Sequence, residues 1–153
     1  MTNNPLYLHC IFADDIRQEA SGKQIVVGMY QGGMNINHPL PVNLPQLYVM
    51  ALLHIPHGEP LESLKVTVRW NEKTLAELEM PADSLPTASH TSPDHTGSII
   101  QLVIELVPFL VDSSGKLQVQ ALINGEQTLE GNTLHVVPVA QAQDALEEKS
   151  WEG

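Results

Sequence analysis

The chain has 153 residues, of which 18 are acidic and 7 are basic, giving a formal net charge of −11. This charge and the aromatic content of only 5% argue against nucleic-acid binding, which depends largely on Lys and Arg at the phosphates and on aromatic stacking. The same charge argues against binding to an anionic membrane surface. The length fits one domain that can bury a core without a disulfide or a metal ion.

The cysteine count and the N-terminal sequence indicate the cellular compartment. Cys10 is the only cysteine, so an intrachain disulfide is excluded. No stretch reaches the roughly 20 apolar residues of a transmembrane helix, and the first residues lack the basic segment of a signal peptide. We therefore expect a cytoplasmic protein.

Hydrophobic residues recur with a period of two along most of the chain, which is typical of half-buried β-strands. The first three predicted strands, 6–13, 23–31 and 47–55, are apolar on both faces. Such strands are covered on both sides, and the second cover can be a neighbouring subunit. Surplus apolar surface of this kind is typical of protein–protein contacts.

The later strands alternate more regularly between apolar and polar residues. In the segments 64–70 and 100–106 every even-numbered residue is apolar. A further strand, 117–123, leads into Asn124-Gly125, which suits a type I′ turn because both of its residues adopt positive φ. The sequence therefore predicts a hairpin that returns along 127–138.

Segments rich in Pro, Gly and polar residues separate the predicted strands. They are the polar link 14–23, Gly32-Gly33, the segment 37–45, and 81–97, which is long enough to be functional. We predict an all-β fold, an antiparallel β-sandwich of about 7–9 strands over residues 1–138, with a small barrel as the alternative. Residues 139–153 are predicted to form an acidic tail that is partly helical or disordered.

The polar link contains Asp14, Asp15 and Glu19, which are candidate oxygen ligands for a divalent cation such as Ca²⁺. The alternative is structural: the aspartates accept backbone bonds in a turn, Arg17 pairs with a carboxylate, and Gly22 supplies a positive φ. Because Arg17 would repel a cation, the pattern favours the structural interpretation.

The same segment carries a family resemblance. It begins with Asp14-Asp15-x-Arg17-x-Glu19, continues with Gly22-Lys23 and Gly28-x-Tyr30, and the chain ends with a Gly-led hairpin from Gly115 through Gly125. This pattern resembles an uncharacterised family of small bacterial and phage proteins, a domain of unknown function. The resemblance implies a shared β-rich fold and supplies no activity.

Two histidine-containing segments are weak candidates for a transition-metal site. The first contains His54, His57 and Glu59, and the second contains His90, Asp94 and His95. Their spacing matches no standard zinc motif, so they form one site only if two loops meet at one end of the sandwich. The alternative places His54 on a strand face and the other residues in solvated loops.

The sequence contains no recognisable catalytic arrangement. His9 and Cys10 are neighbours in a predicted strand and therefore point to opposite faces, and the standard nucleotide, hydrolase and metalloprotease motifs are absent. We predict no catalytic residues, no cofactor, and a non-enzymatic protein-interaction or structural module that binds a protein partner or forms a homo-oligomer. The alternative is a metal-binding domain or metal-dependent hydrolase that uses the His/Asp/Glu segments.

Overall fold

The computed structural model describes residues 6–56, 58, 60–81, 83, 90–91 and 97–138, with only the backbone at 90 and 91. The predicted tail, 139–153, lies outside these residues. The described part of the chain contains thirteen strands, five of them with four residues or fewer. In chain order they are β1 (Tyr7–Gln18), β2 (Gln24–Tyr30), β3 (Gly33–Ile36), β4 (Val42–Leu44), β5 (Leu47–Pro56), β6 (Ser63–Trp70), β7 (Lys73–Pro81), β8 (His90–Thr91), β9 (Gly97–Leu106), β10 (Phe109–Val111), β11 (Gly115–Ile123), β12 (Gln127–Glu130) and β13 (Leu134–Pro138).

Two main sheets account for most of these strands. Sheet 1 has the order β2-β1-β5-β9-β8, and sheet 2 has the order β3-β13-β11-β6-β7, with β12 also paired to β11. The short strands β4 and β10 form a separate pair. The predicted all-β, sandwich-like fold is confirmed, and the alternative of one closed sheet is wrong. The pair β3–β13 is parallel, which departs from the purely antiparallel prediction.

The core lies between the two main sheets. Alternate side chains of the long strands point into it, as the period of two predicts. One cluster of buried residues joins both sheets and includes Phe12 and Val49 from sheet 1 and Val68 and Val119 from sheet 2. Burying each side chain of this size contributes about 1.5–3 kcal/mol, so the fold is stabilised by contact between the inner faces.

The first half of the polar link predicted at 14–23 is strand, as far as Gln18. The strand β1 continues to Gln18 because β2 pairs with it from Phe12 onward. Gly28 permits this, since it adopts a φ of 68° and a Cβ at that position would overlap the Asp14 carboxylate. The actual turn is shorter: the Gly22 N–H bonds the Glu19 carbonyl at 2.9 Å, and Gly22 has the predicted positive φ.

Other predicted loops also contain short strands. The strand β3 begins at Gly33, β4 lies within 37–45, and β8 lies within 81–97. The strands β7 and β10 were not predicted from the sequence either. The sequence of β7 is a weak strand signal because three of its residues, glutamates or lysines, face solvent. The strand forms by pairing with β6, where Lys65 and Glu77 make an ion pair of 3.1 Å.

The predicted hairpin at Asn124-Gly125 is confirmed. Both residues have positive φ, 54° and 71°, and the Glu126 N–H bonds the Ile123 carbonyl at 3.0 Å. The return strand is split into β12 and β13, which both pair with β11. The interruption at 131–133 contains a residue that bonds to the opposite sheet.

Asn132 joins this interruption to sheet 1. Its side-chain oxygen accepts the Cys10 N–H at 2.6 Å, and its amide nitrogen donates to the Cys10 carbonyl at 2.7 Å. On this side of β1, the strand β2 pairs only from Phe12 onward, so Asn132 replaces the missing strand at Cys10. Gly131 allows the approach, because a Cβ there would lie 2.8 Å from the Cys10 sulfur.

We predict that Asn132→Ala destabilises the protein by about 1–3 kcal/mol, because it leaves a partly buried N–H and carbonyl without partners. Chemical denaturation measures the change. The matched control is Asn35→Ala, at an exposed position of β3, which we expect to change stability by less than about 0.5 kcal/mol. Equal effects of the two substitutions would contradict the bridging role of Asn132.

Candidate interaction surface

The side chains of sheet 1 that point away from the core form an apolar surface. The strand register places Met29, Ala13 and Tyr48 side by side across three neighbouring strands. It places Ile11, Met50 and Val103 side by side in the same way, two residues further along the strands. Residues directly opposite each other in paired strands lie on one face. We call this surface the apolar outer face and define it as Ile11, Ala13, Ile25, Val27, Met29, Met50, Leu52 and Val103.

This apolar outer face is partly open to solvent. The exposed fractions are 54% for Met29, 44% for Val27, 42% for Val103 and 41% for Ile25. Ala13, Ile16 and Met50 are buried in a small cluster that is separate from the main core, and Val26 packs against it. A contiguous apolar patch on a folded chain is typical of a contact surface, whereas scattered exposed apolar residues are not.

The polar side chains that border the face are already bonded to one another. The Arg17 Nε donates to the Asp15 carboxylate at 2.6 Å, and the Tyr48 hydroxyl donates to Glu105 at 2.9 Å. These bonds, with the neighbouring charges, raise the pKa of Arg17 and of Tyr48 above their ordinary values. Covering the face therefore leaves these groups with hydrogen-bond partners, which lowers the cost of removing them from water.

The outer face of sheet 2 has the opposite character. In β6 and β11 the buried apolar residues point into the core and the outward residues are mostly polar, with Leu122 as an apolar exception. Val137 on β13 is a second apolar residue that points outward. The outward residues include Lys65, Thr67, Arg69, Gln118 and Gln120, which are partly exposed. An ordinary solvated sheet looks like this, so the apolar character of sheet 1 is specific to that sheet.

The three carboxylates proposed as calcium ligands are held apart by their own contacts. Asp14 and Asp15 are adjacent in β1, so their side chains point to opposite faces. Asp14 accepts a hydrogen bond from the Tyr30 hydroxyl, and burial together with this bond raises the pKa of Tyr30 to about 12. Glu19 lies in the turn and accepts a bond from Ser21 at 3.1 Å. Among the described residues, no three potential ligands come together to hold a metal ion.

Of the histidine segments, the structure describes the side chain of His54 alone. Its ring stacks on Tyr7 with centroids 4.1 Å apart, and burial followed by the charge of His9 lowers the pKa of His54. The other candidates, His57, Glu59, Asp94 and His95, lie outside the described residues, and His90 has only its backbone described.

The backbone nevertheless relates the two histidine segments. Pro56 pairs with Gly97 at the end of β5 and β9, and His90 on β8 pairs with Ile99, which in turn pairs with His54. The segments therefore leave sheet 1 at the same end.

Cys10 has no features of a nucleophile. It is 1% exposed, and burial raises the pKa of its thiol to about 12. His9 is exposed on the opposite face of β1, as the alternation predicts. A thiol with so high a pKa is almost entirely protonated at neutral pH and reacts slowly.

Two clefts lie at opposite ends of the sandwich. The larger, about 360 Å³, lies against Trp70 and Phe109 and is bordered by Lys73, Glu105 and Asp112. The Trp70 indole donates to Asp112 at 3.4 Å and packs edge-on against Phe109. The smaller, about 190 Å³, lies beside Asn124, whose side chain bonds the backbone of Pro60 and Glu62. Asp112 and Asn124 thus serve local structure in these clefts.

Two structural contacts were missed by the sequence analysis. Asn132 bonds Cys10 across 122 positions of sequence, and Tyr30 bonds Asp14 from the neighbouring strand. The dipeptide Gly131-Asn132 within a predicted return strand was an available signal, because a glycine inside a strand often marks a bulge or a close backbone approach. No local signal identifies the partner in the other sheet.

A comparison with family models places the chain. A model described as a family of unknown function matches residues 8–137. The chain belongs to DUF6941. The DUF6941 match runs from β1 to β13 and so includes both sheets and the apolar outer face. It confirms the expected membership of an uncharacterised family. No curated protein matches the chain.

The described part of this DUF6941 chain contains no helix that is long and apolar enough to span a membrane.

We predict that Cys10 in the folded protein reacts with a thiol reagent at pH 8 far more slowly than in denatured protein, because the thiol is buried and protonated. Absorbance of the released chromophore measures the rate in each state. Labelling of the folded protein at the rate of a free thiol would contradict the described environment of Cys10.

Proposed function

We propose that this DUF6941 protein is a non-enzymatic interaction module whose apolar outer face contacts another protein chain. The observation that carries the proposal is the contrast between the two outer faces, since that of sheet 1 is largely apolar and that of sheet 2 is largely polar. Burial of an exposed side chain such as Met29 or Val103 contributes up to about 1.5–3 kcal/mol. A few such residues at the centre of a contact supply most of its binding energy.

The sheet itself supports this role. The residues of the apolar outer face project from paired strands, whose backbone positions are fixed by the register with their neighbours. A contact surface on a rigid sheet binds with little loss of conformational entropy. The Asp15–Arg17 ion pair adds no net charge to the buried area, and the Glu105 carboxylate keeps the hydrogen bond from Tyr48.

Chemistry at this surface has no support in the described residues. The one thiol is buried, and the aspartate and glutamate side chains of the outer face are bonded to Arg17 and Tyr48. The charge of −11 favours a protein partner over nucleic acid or an anionic membrane. We further propose a cytoplasmic location, on the basis of the single cysteine.

We predict that a photo-reactive residue, p-benzoylphenylalanine, in place of Val103 forms a discrete protein adduct when cells are irradiated. The matched control is the same residue in place of Val137, which is 38% exposed on the outer face of sheet 2. Gel analysis and mass spectrometry identify the adducts. Absence of an adduct at 103, or the same adducts at both positions, would contradict the proposal.

A second candidate function is metal binding by the histidine segments. The pairing of Pro56 with Gly97 supports it, because His57 and Glu59 follow the first residue and Asp94 and His95 precede the second. Together with His54 they would offer nitrogen and oxygen ligands of the kind that zinc accepts. A hydrolase activity would require a metal ion at this end of sheet 1.

For this candidate we predict about one zinc ion per chain in untagged protein, and a higher melting temperature when zinc is added, because a ligand of the native state stabilises it. Elemental analysis and thermal denaturation measure both. His54→Gln should abolish the thermal shift, whereas His135→Gln, an exposed histidine on sheet 2, should preserve it. A zinc content below about one tenth per chain with no thermal shift would eliminate the candidate.

A further inference from the structure

The edge strand of sheet 1 carries three of the most exposed apolar side chains. Ile25, Val27 and Met29 alternate along β2 and are 41%, 44% and 54% exposed. The strand pairs with β1 on one side, and none of the described strands pairs with its other side. A free edge of this kind offers both unpaired backbone groups and apolar side chains to another strand.

The strand lacks the charges that normally protect a sheet edge. Its sequence is Gln-Ile-Val-Val-Gly-Met-Tyr, with no charged residue in seven positions, whereas the whole chain carries −11. Natural edges are commonly blocked by lysines, prolines, inward-pointing charges or backbone irregularities, and of these β2 contains only the positive φ of Gly28, 68°. Two copies of a strongly acidic chain repel each other, so they meet most readily through a surface that carries no charge.

The order of residues in β2 suits pairing with itself. In an antiparallel pair related by a two-fold axis, the central residue Val27 lies opposite Val27 of the second copy. Ile25 then lies opposite Met29 of the second copy, and Met29 lies opposite Ile25 of that copy. Directly opposed residues lie on the same face, so each exposed apolar side chain meets another, and the two apolar outer faces become continuous.

We propose that β2 pairs antiparallel with β2 of a second copy of this chain, with the two-fold axis at Val27. The inference rests on the proposed function, because it names the partner of the apolar outer face. The joined sheet has ten strands, five from each copy. A two-fold contact between identical surfaces is the commonest arrangement of soluble homo-oligomers.

Cysteine substitution tests this register directly. In Val27→Cys the two new thiols lie on the axis, where opposed Cα atoms are about 4.5–5.5 Å apart, a distance that a disulfide spans. We expect most of the protein to form a disulfide-linked dimer under mild oxidation. In Ile25→Cys the new thiols lie four residues apart along the strands, roughly 14 Å, which no disulfide spans. We expect that variant to remain monomeric on a non-reducing gel.

Two further variants complete the experiment. The double variant Ile25→Cys with Met29→Cys should form the dimer, because these positions face each other in the proposed register. Val137→Cys, at an exposed position of sheet 2, should not. Equal cross-linking of Val27→Cys and Ile25→Cys, or no cross-linking of Val27→Cys, would overturn the inference. All substituted positions are at least partly exposed, and Cys10 is buried in every variant.

The salt dependence of self-association provides a second measurement. Two chains of charge −11 repel less as salt screens them, so sedimentation velocity should give a larger dimer fraction at 0.5 M than at about 0.05 M salt. A smaller dimer fraction at high salt would contradict a charge-free contact between like-charged copies. An adduct from position 103 with a different protein, without a Val27→Cys dimer, would retain the proposed function and overturn this inference.

Discussion

A two-layer sandwich made from one chain buries only one face of each sheet, and this constraint governs the rest of the structure. Each strand must have one apolar face for the core, and the other face is polar if it meets water. Sheet 2 follows this rule: Val66 and Val68 point inward, and Lys65 and Thr67 point outward. Sheet 1 does not follow it, because Met50 and Val103 are apolar on the side away from the core.

One edge of β1 in sheet 1 is covered by other groups of the chain. Near its start β1 has no neighbour among the described strands at Cys10 on the side of β2, and the Asn132 side chain bonds the partly buried N–H and carbonyl there. From Phe12 to Gln18 the same edge is covered by β2. The strand β2, which carries Ile25, Val27 and Met29, therefore forms the open edge of the sheet. Of these three residues, Met29 lies beside Ala13 of the apolar outer face, whereas Val27 and Ile25 lie beside the paired Asp15 and Arg17.

The sequence predicted the fold class because the inward and outward alternation is a local property of each strand. The pattern in 64–70 and the turn at Asn124-Gly125 required no knowledge of distant residues. The apolar residues on both faces of 23–31 and 47–55 also identified two of the strands that carry the apolar outer face. Local composition failed at Asp14, which was placed in a turn, because the space for its carboxylate over Gly28 depends on pairing between two strands.

The contacts that fix the edges could not be predicted because they join residues far apart in sequence. Asn132 lies between two strands of sheet 2 and Cys10 lies in sheet 1, and Gly131 is required because the Cys10 sulfur approaches it most closely. The metal candidates illustrate the same difficulty. Pairing of Pro56 with Gly97 brings two segments to one end of sheet 1, and a single sequence does not contain that information.

Hydrogen–deuterium exchange of β2 as a function of protein concentration tests the central claim most directly. If β2 is covered by a second copy, peptides containing residues 24–30 should exchange more slowly as the concentration rises. The edge strand β7 of sheet 2 should exchange at the same rate at every concentration. Exchange of β2 that does not depend on concentration, or equal protection of β2 and β7, would contradict the claim that β2 is the self-association edge of sheet 1.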